Sequence, residues 1–145
     1  MKSHIGLICA IIASMLWGMD YTIAEKLYKN LSIYTVSFYS CLIGLCVMYV
    51  LGNKTLGDDT LKLLEFNNLT WWFLLSITIG ISASIMIAKS IQLSNATLAG
   101  LIEVSYPIFI VIFSYLFFKE MHMTKGIFIG SILIFVGIVV VTKYS

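Results

Sequence analysis

The feature that most constrains this chain is a series of five apolar runs, each long enough to cross a lipid bilayer. A spanning helix needs about 20 mostly apolar residues, because the hydrocarbon core is about 30 Å thick and each helical residue rises about 1.5 Å. The runs extend from about Ile5 to Ala24, Leu31 to Leu51, Thr70 to Ile91, Ala96 to Phe118 and Thr124 to Val141. The expected fold is therefore an all-α integral membrane protein, a five-transmembrane-helix bundle forming one domain over residues 1–145. The apolar run after Met1-Lys2 resembles a signal peptide, but no small-residue cleavage motif follows it, so a retained first helix is expected.

Composition supports lipid as the solvent. Hydrophobic residues make up 60% of the chain and charged residues 11%, against roughly a quarter charged in soluble domains. The mean hydropathy is +1.00, and a soluble domain of this size lacks the core volume to bury so much apolar surface. The net charge of +2 comes from scattered lysines, with no arginine, and gives no stripe for nucleic acid. Cys9, Cys41 and Cys46 lie in apolar runs and suit packing, not a disulfide framework or a metal site. His4 and His122 fall at helix ends, where solvation is expected. No cofactor is implied. The absence of a phosphate-binding glycine loop, a zinc-ligand spacing or a nucleophile triad argues against an enzyme.

Between the runs lie Glu25 to Asn30, Gln92 to Asn95 and Lys119 to His122, short links that make consecutive helices antiparallel neighbours. The longer stretch from Gly52 to Asn68 carries Leu61, Leu63, Leu64 and Phe66 among charged residues. It reads either as a short amphipathic helix on the membrane surface or as a solvated loop. Trp71 and Trp72 open the third run where interfacial aromatics belong.

Cytoplasmic loops normally hold the excess of lysine, which sets orientation. Assigning alternate helix ends to opposite sides puts Lys2, Lys54, Lys62, Lys119 and Lys125 on one side and Lys26, Lys29, Lys89 and Lys143 on the other. Five against four is almost no bias. Insertion in both orientations follows as an expectation, as does a homodimer, antiparallel in the simplest case, or a heterodimer with a separate partner. Two inverted copies would build the inverted-repeat architecture common among transporters.

Several motifs carry a family resemblance. Pro107 to Glu120 forms a proline-bearing helix ending in a glutamate, followed by Gly126, Gly130 and Gly137. Trp17-Gly18-Met19-Asp20-Tyr21 through Lys26 resembles a Trp-Gly-Ser-Asn start, and Ala88-Lys89-Ser90 with Ala96 to Ala99 resembles a third-to-fourth helix junction. Together these resemble one EamA repeat of the drug/metabolite transporter superfamily, over nearly the whole chain. The resemblance implies a secondary transporter subunit in the cell (inner) membrane, multi-pass, moving a small metabolite such as an amino acid or amine by alternating access. Most members carry two such repeats, so a dimer is implied here. The four-helix multidrug pumps of the superfamily form antiparallel dimers, but their first-helix glutamate has no counterpart here at the equivalent depth. A lipid-linked sugar flippase subunit and a non-transporting partner subunit are the competing readings.

Ionisable groups within spans are costly and functional by default. Glu103 lies about 6 Å, and Asp20 about 8 Å, from the middle of its span. The first and fourth helices run antiparallel, so the two carboxylates fall at similar depth. Glu103 is expected to bind a proton or a substrate ammonium, or else to serve packing alone. Trp17 shares a helical face with Asp20, and Tyr106 and Pro107 share one with Glu103. Trp17 and Tyr106 would stack on a cationic or planar solute, and Pro107 would act as a hinge. Ser82 and Ser84 are candidate path-lining residues, and Lys89 is expected to snorkel. Gly126, Gly130 and Gly137 share one face of the fifth helix and suit close helix packing.

Overall fold

The computed structural model describes residues 2–120 and 124–144, so Met121 and His122 lie outside the described residues. Seven helices follow in order: α1 (Lys2–Tyr28), α2 (Ile33–Gly52), α3 (Leu56–Leu64), α4 (Asn68–Leu93), α5 (Ala96–Glu103), α6 (Tyr106–Phe118) and α7 (Lys125–Tyr144). Five stretches are long and apolar enough to cross a membrane: His4–Tyr28, Ile33–Gly52, Asn68–Leu93, Ala96–Phe118 and Lys125–Tyr144. The protein is an all-α membrane bundle.

Local chemistry sets most of the boundaries. Ser32 caps α2 by accepting from the Tyr34 amide, and Asn67 caps α4 by accepting from Leu69 and Thr70. Asn95 caps α5 through the Leu98 amide at 2.8 Å. Each cap satisfies donors that a helix start leaves free. α6 ends at Lys119, whose φ of 58° is left-handed. The Lys119 and Glu120 amides then return to the Tyr115 and Ser114 carbonyls, closing the helix end.

The helices overrun the apolar runs. α1 continues four residues past Ala24, through Glu25 and Lys26, because a helix satisfies its own backbone in the headgroup region as well as in hydrocarbon. α4 likewise reaches Leu93, leaving only Ser94 and Asn95 before α5. The Gly52 to Asn68 stretch forms the α3 helix, with Leu61, Leu64 and Phe66 exposed. The Thr70 hydroxyl donates to the Leu63 carbonyl at 2.8 Å and ties α3 to α4.

The fourth span is interrupted. α5 stops at Glu103, Val104 and Ser105 form a turn, and α6 restarts at Tyr106. Pro107 is the cause: it has no N–H to give the Glu103 carbonyl, and its ring crowds that same carbonyl. The local bonds tighten from i−4 to i−3, with Ser105 N donating to Ile102 O and Ile108 N to Ser105 O, both at 3.1 Å.

α1 packs against α5, α4 and α2, while α4 also meets α2 and α3, and α5 meets α7. α6 leans on α4 where Trp72 meets Phe117 and Phe118, with ring centroids 5.9 and 5.3 Å apart. The buried residues among those described are few: Ala24, Ile33, Thr70, Ala88, Ile91 and Ala99. Three of the six are alanines on α1, α4 and α5, where small side chains let backbones approach. At most 6% of any spanning window is buried within the chain. Lipid or another protein must cover the rest.

Candidate functional site

The site is built where α1 crosses α5. Tyr21 sits five residues past the middle of the first span, and Glu103 four before the middle of the fourth. In antiparallel helices these positions share a level, about 6 to 8 Å from the bilayer centre. There the Tyr21 hydroxyl donates to Glu103 Oε2 at 2.5 Å. Both residues are half-buried. Glu103 Oε1 has no hydrogen-bond or ion-pair partner among the described residues.

Tyr21 packs beside α5 at Gly100. A Cβ at Gly100 would stand 3.6 Å from Tyr21 Cδ2, so the Tyr21 ring lies beside α5 one turn before Glu103. On the other side, Trp17 meets Tyr21 edge-on, with centroids 5.7 Å apart and rings inclined by 64°. One turn beyond Tyr21, Glu25 Oε2 accepts from the Ala96 amide at 2.8 Å, while its Oε1 lies 3.8 Å from Lys29 Nζ. Trp17, Tyr21 and Glu25 thus form one face of α1 at i, i+4 spacing.

The structure joins Trp17 to Glu103 through Tyr21, which in the sequence stands out only as part of the Trp17 to Lys26 motif. Equal depth on antiparallel helices is the signal that points to Tyr21, as it does to Asp20 beside it. Asp20 is exposed and makes no hydrogen bond or ion pair among the described residues. Being next to Tyr21, it points about 100° away around the helix. Tyr106 is 58% exposed and its hydroxyl makes no hydrogen bond among the described residues. Its shared face with Glu103 presumed an unbroken helix, whereas the turn at Val104 and Ser105 intervenes. Pro107 is half-buried in the first turn of α6.

Other candidates are placed away from this crossing. The Ser82 and Ser84 hydroxyls donate to the Thr78 and Gly80 carbonyls of their own helix. Lys89 is exposed near the end of α4. No side chain from another helix lies within 4 Å of a Cβ placed on Gly126, Gly130 or Gly137, so the close approach expected of that face is not made inside the chain. The three cysteines are free and exposed. No group of His, Cys, Asp or Glu among the described residues is arranged to hold a metal ion. Two shallow concavities are open and each is lined by essentially one helix: Met15, Gly18, Met19, Thr22 and Ile23 on α1, and Thr124, Lys125, Phe128 and Ile129 at the start of α7.

Comparison with protein families matches residues 4–143 to the EamA-like transporter family. Neither the curated proteins nor the solved structures yielded a match.

Proposed function

The chain belongs to the EamA-like transporter family, and from that premise we propose that it is a secondary transporter subunit for a small amine-bearing metabolite, such as an amino acid. Glu103 is the solute- and proton-binding group, and the transporter works by alternating access between two inverted copies. One observation carries the reading: a carboxylate within a span with one oxygen held by Tyr21 and the other free. An ionisable group in lipid is costly and persists where it serves a solute or ion path. Oε1 is then available to a proton or to an ammonium, and the two ligands compete for one site. Trp17 extends an aromatic surface from Tyr21 on which a cation would rest.

The sparse burial supports a second copy. The concavities on α1 and α7 are open to the surroundings, and Trp17, Asp20 and Tyr106 are exposed. A partner copy laid over this face would enclose the site, and the even lysine split permits it to insert upside down. The same openness favours a second reading, a membrane subunit that only stabilises a partner protein.

Uptake into liposomes distinguishes the two. The purified chain alone, reconstituted under an imposed pH gradient, is expected to take up labelled amino acids or primary amines, and Glu103→Gln is expected to abolish this. Uptake by Glu103→Gln with an unchanged pH profile would remove Glu103 from the mechanism. No uptake of any solute by the wild-type chain would leave the partner-subunit reading in its place.

A further inference from the structure

The strongest unassigned feature lies at the opposite end of α5 from Glu103. Glu25 reaches from α1 across to the first residue of α5, where Oε2 accepts the Ala96 amide at 2.8 Å. That amide is one of the donors a helix start leaves unsatisfied, and a negative charge there is favourable. Asn95 satisfies a second donor, the Leu98 amide, so the two side chains divide the helix start between them. Glu25 is therefore not merely a solvated interfacial carboxylate. It holds a backbone atom of another helix, and the Lys29 ammonium lies 3.8 Å from its second oxygen.

α5 is eight residues long and α1 grips it at both ends and in the middle. Glu25 takes Ala96, the Tyr21 ring lies on Gly100, and the Tyr21 hydroxyl takes Glu103. Ala24 and Ala99, 7% and 1% exposed, lie along the same two helices. Immediately beyond Glu103 the helix is broken, and α6 meets α4 through exposed aromatic contacts of Phe117 and Phe118 to Trp72. Strong fastening thus ends where the backbone bond is missing.

We propose that Glu25 is a positioning residue that, with Tyr21, fastens α5 to α1 as one rigid unit carrying Glu103, so that the fourth span bends at Val104 and Ser105 and only α6 swings. In transport, which rests on the reading of Glu103 above, the carboxylate stays fixed while α6 changes its exposure. Discontinuous spanning helices with a site at the break are a recurring solution in transporters, but here one half is locked to a neighbour and the other is not.

The test reads distances and needs no solute. In the full chain with Cys9, Cys41 and Cys46 replaced by alanine, spin labels are placed at Ile8 and Thr97 to report α1 against α5. A second labelled pair, Thr22 and Leu116, reports α1 against α6. Each labelled chain is diluted with unlabelled chain in liposomes, so only distances within one chain register. The first pair is expected to give one narrow distribution and the second a broad or two-component one. Glu25→Ala is expected to broaden the first pair, and Glu25→Gln, which keeps an oxygen acceptor, to restore it. A first pair as broad as the second in the wild-type background overturns the proposal, whether or not Glu25→Ala folds. So does a first pair that stays narrow in Glu25→Ala. Uptake then separates this role from general damage: Glu25→Ala is expected to weaken apparent solute affinity by about ten-fold through a misplaced Glu103, with the Glu25→Gln value near wild type. Loss of uptake in every variant and in the wild type, with the distances as expected, would refute the transport reading and leave the rigid unit standing.

Discussion

Removing the Tyr21 hydroxyl is the sharpest probe of the α1–α5 crossing, because Tyr21→Phe deletes one oxygen and keeps the ring on Gly100 and against Trp17. A hydrogen bond to a charged group is worth about 1.5–3 kcal/mol in soluble proteins. Interhelical hydrogen bonds in a membrane bundle average about 0.6 kcal/mol and reach about 1.7, because the unfolded helices find other partners in lipid. The Tyr21–Glu103 bond is half-buried and links different helices, so the upper part of the membrane range applies, about 1 to 1.7 kcal/mol. A double-mutant cycle isolates it: wild type, Tyr21→Phe, Glu103→Gln and the double variant, each unfolded reversibly in mixed micelles of rising denaturing-detergent content. Glu103→Gln retains an acceptor oxygen, so the cycle reads mainly the charge-assisted part, and Glu103→Leu in a parallel cycle reads the whole bond. The expected coupling with Glu103→Leu is about 1 kcal/mol or more, and smaller with Glu103→Gln. Coupling below about 0.3 kcal/mol in both cycles is what independent sites give, and it would refute the idea that this bond joins α1 to α5.

Two further outcomes test the surroundings. Gly100→Ala is expected to be neutral or slightly stabilising in the same unfolding assay, since its Cβ meets Tyr21 at ordinary contact distance, whereas Gly100→Leu should cost about 1–3 kcal/mol by pushing the ring away. On the exposed α3 helix, Asp59 accepts from Lys62 at 2.8 Å and holds the lysine ammonium above its ordinary pKa. The pair's contribution is therefore present below the ordinary lysine value and is lost as pH rises through the raised one. Asp59→Asn is expected to return Lys62 to the ordinary range in an NMR titration, and an unchanged value would show that the ion pair does not persist in the membrane.

The spans were legible in the residues because lipid imposes a rule that any segment must obey by itself. About 20 apolar residues in a row have few other places to go, and Ile5 to Ala24 or Thr70 to Ile91 meet that rule without reference to any neighbour. The interruption after Glu103 was also foreshadowed, since Pro107 removes a backbone bond wherever its helix lies. The extension of α1 through Glu25 was not, because a helix end in the headgroup region has no hydropathy signature.

Which side chains meet was another matter. In a soluble helix an apolar stripe reveals the face turned inward, but here α1, α4 and α5 are apolar nearly all round, so pattern does not report rotation. Depth alone therefore places Glu103 and Asp20 at one level and does not say that Tyr21, next to Asp20, is the residue that meets Glu103. The rotation that presents Tyr21 to Glu103, and Glu25 to Ala96, is set by small residues, Ala24, Ala88 and Ala99, permitting close approach, with the Tyr21 ring packed beside Gly100. Those are contacts between residues some 70 to 80 positions apart. The sequence by itself determined that this chain lives in lipid as five spans of an EamA repeat, with one carboxylate deep in the fourth. Only the tertiary structure decided what that carboxylate touches, because helix–helix packing in a uniformly apolar solvent is chosen by shape and a few hydrogen bonds, not by the hydrophobic effect.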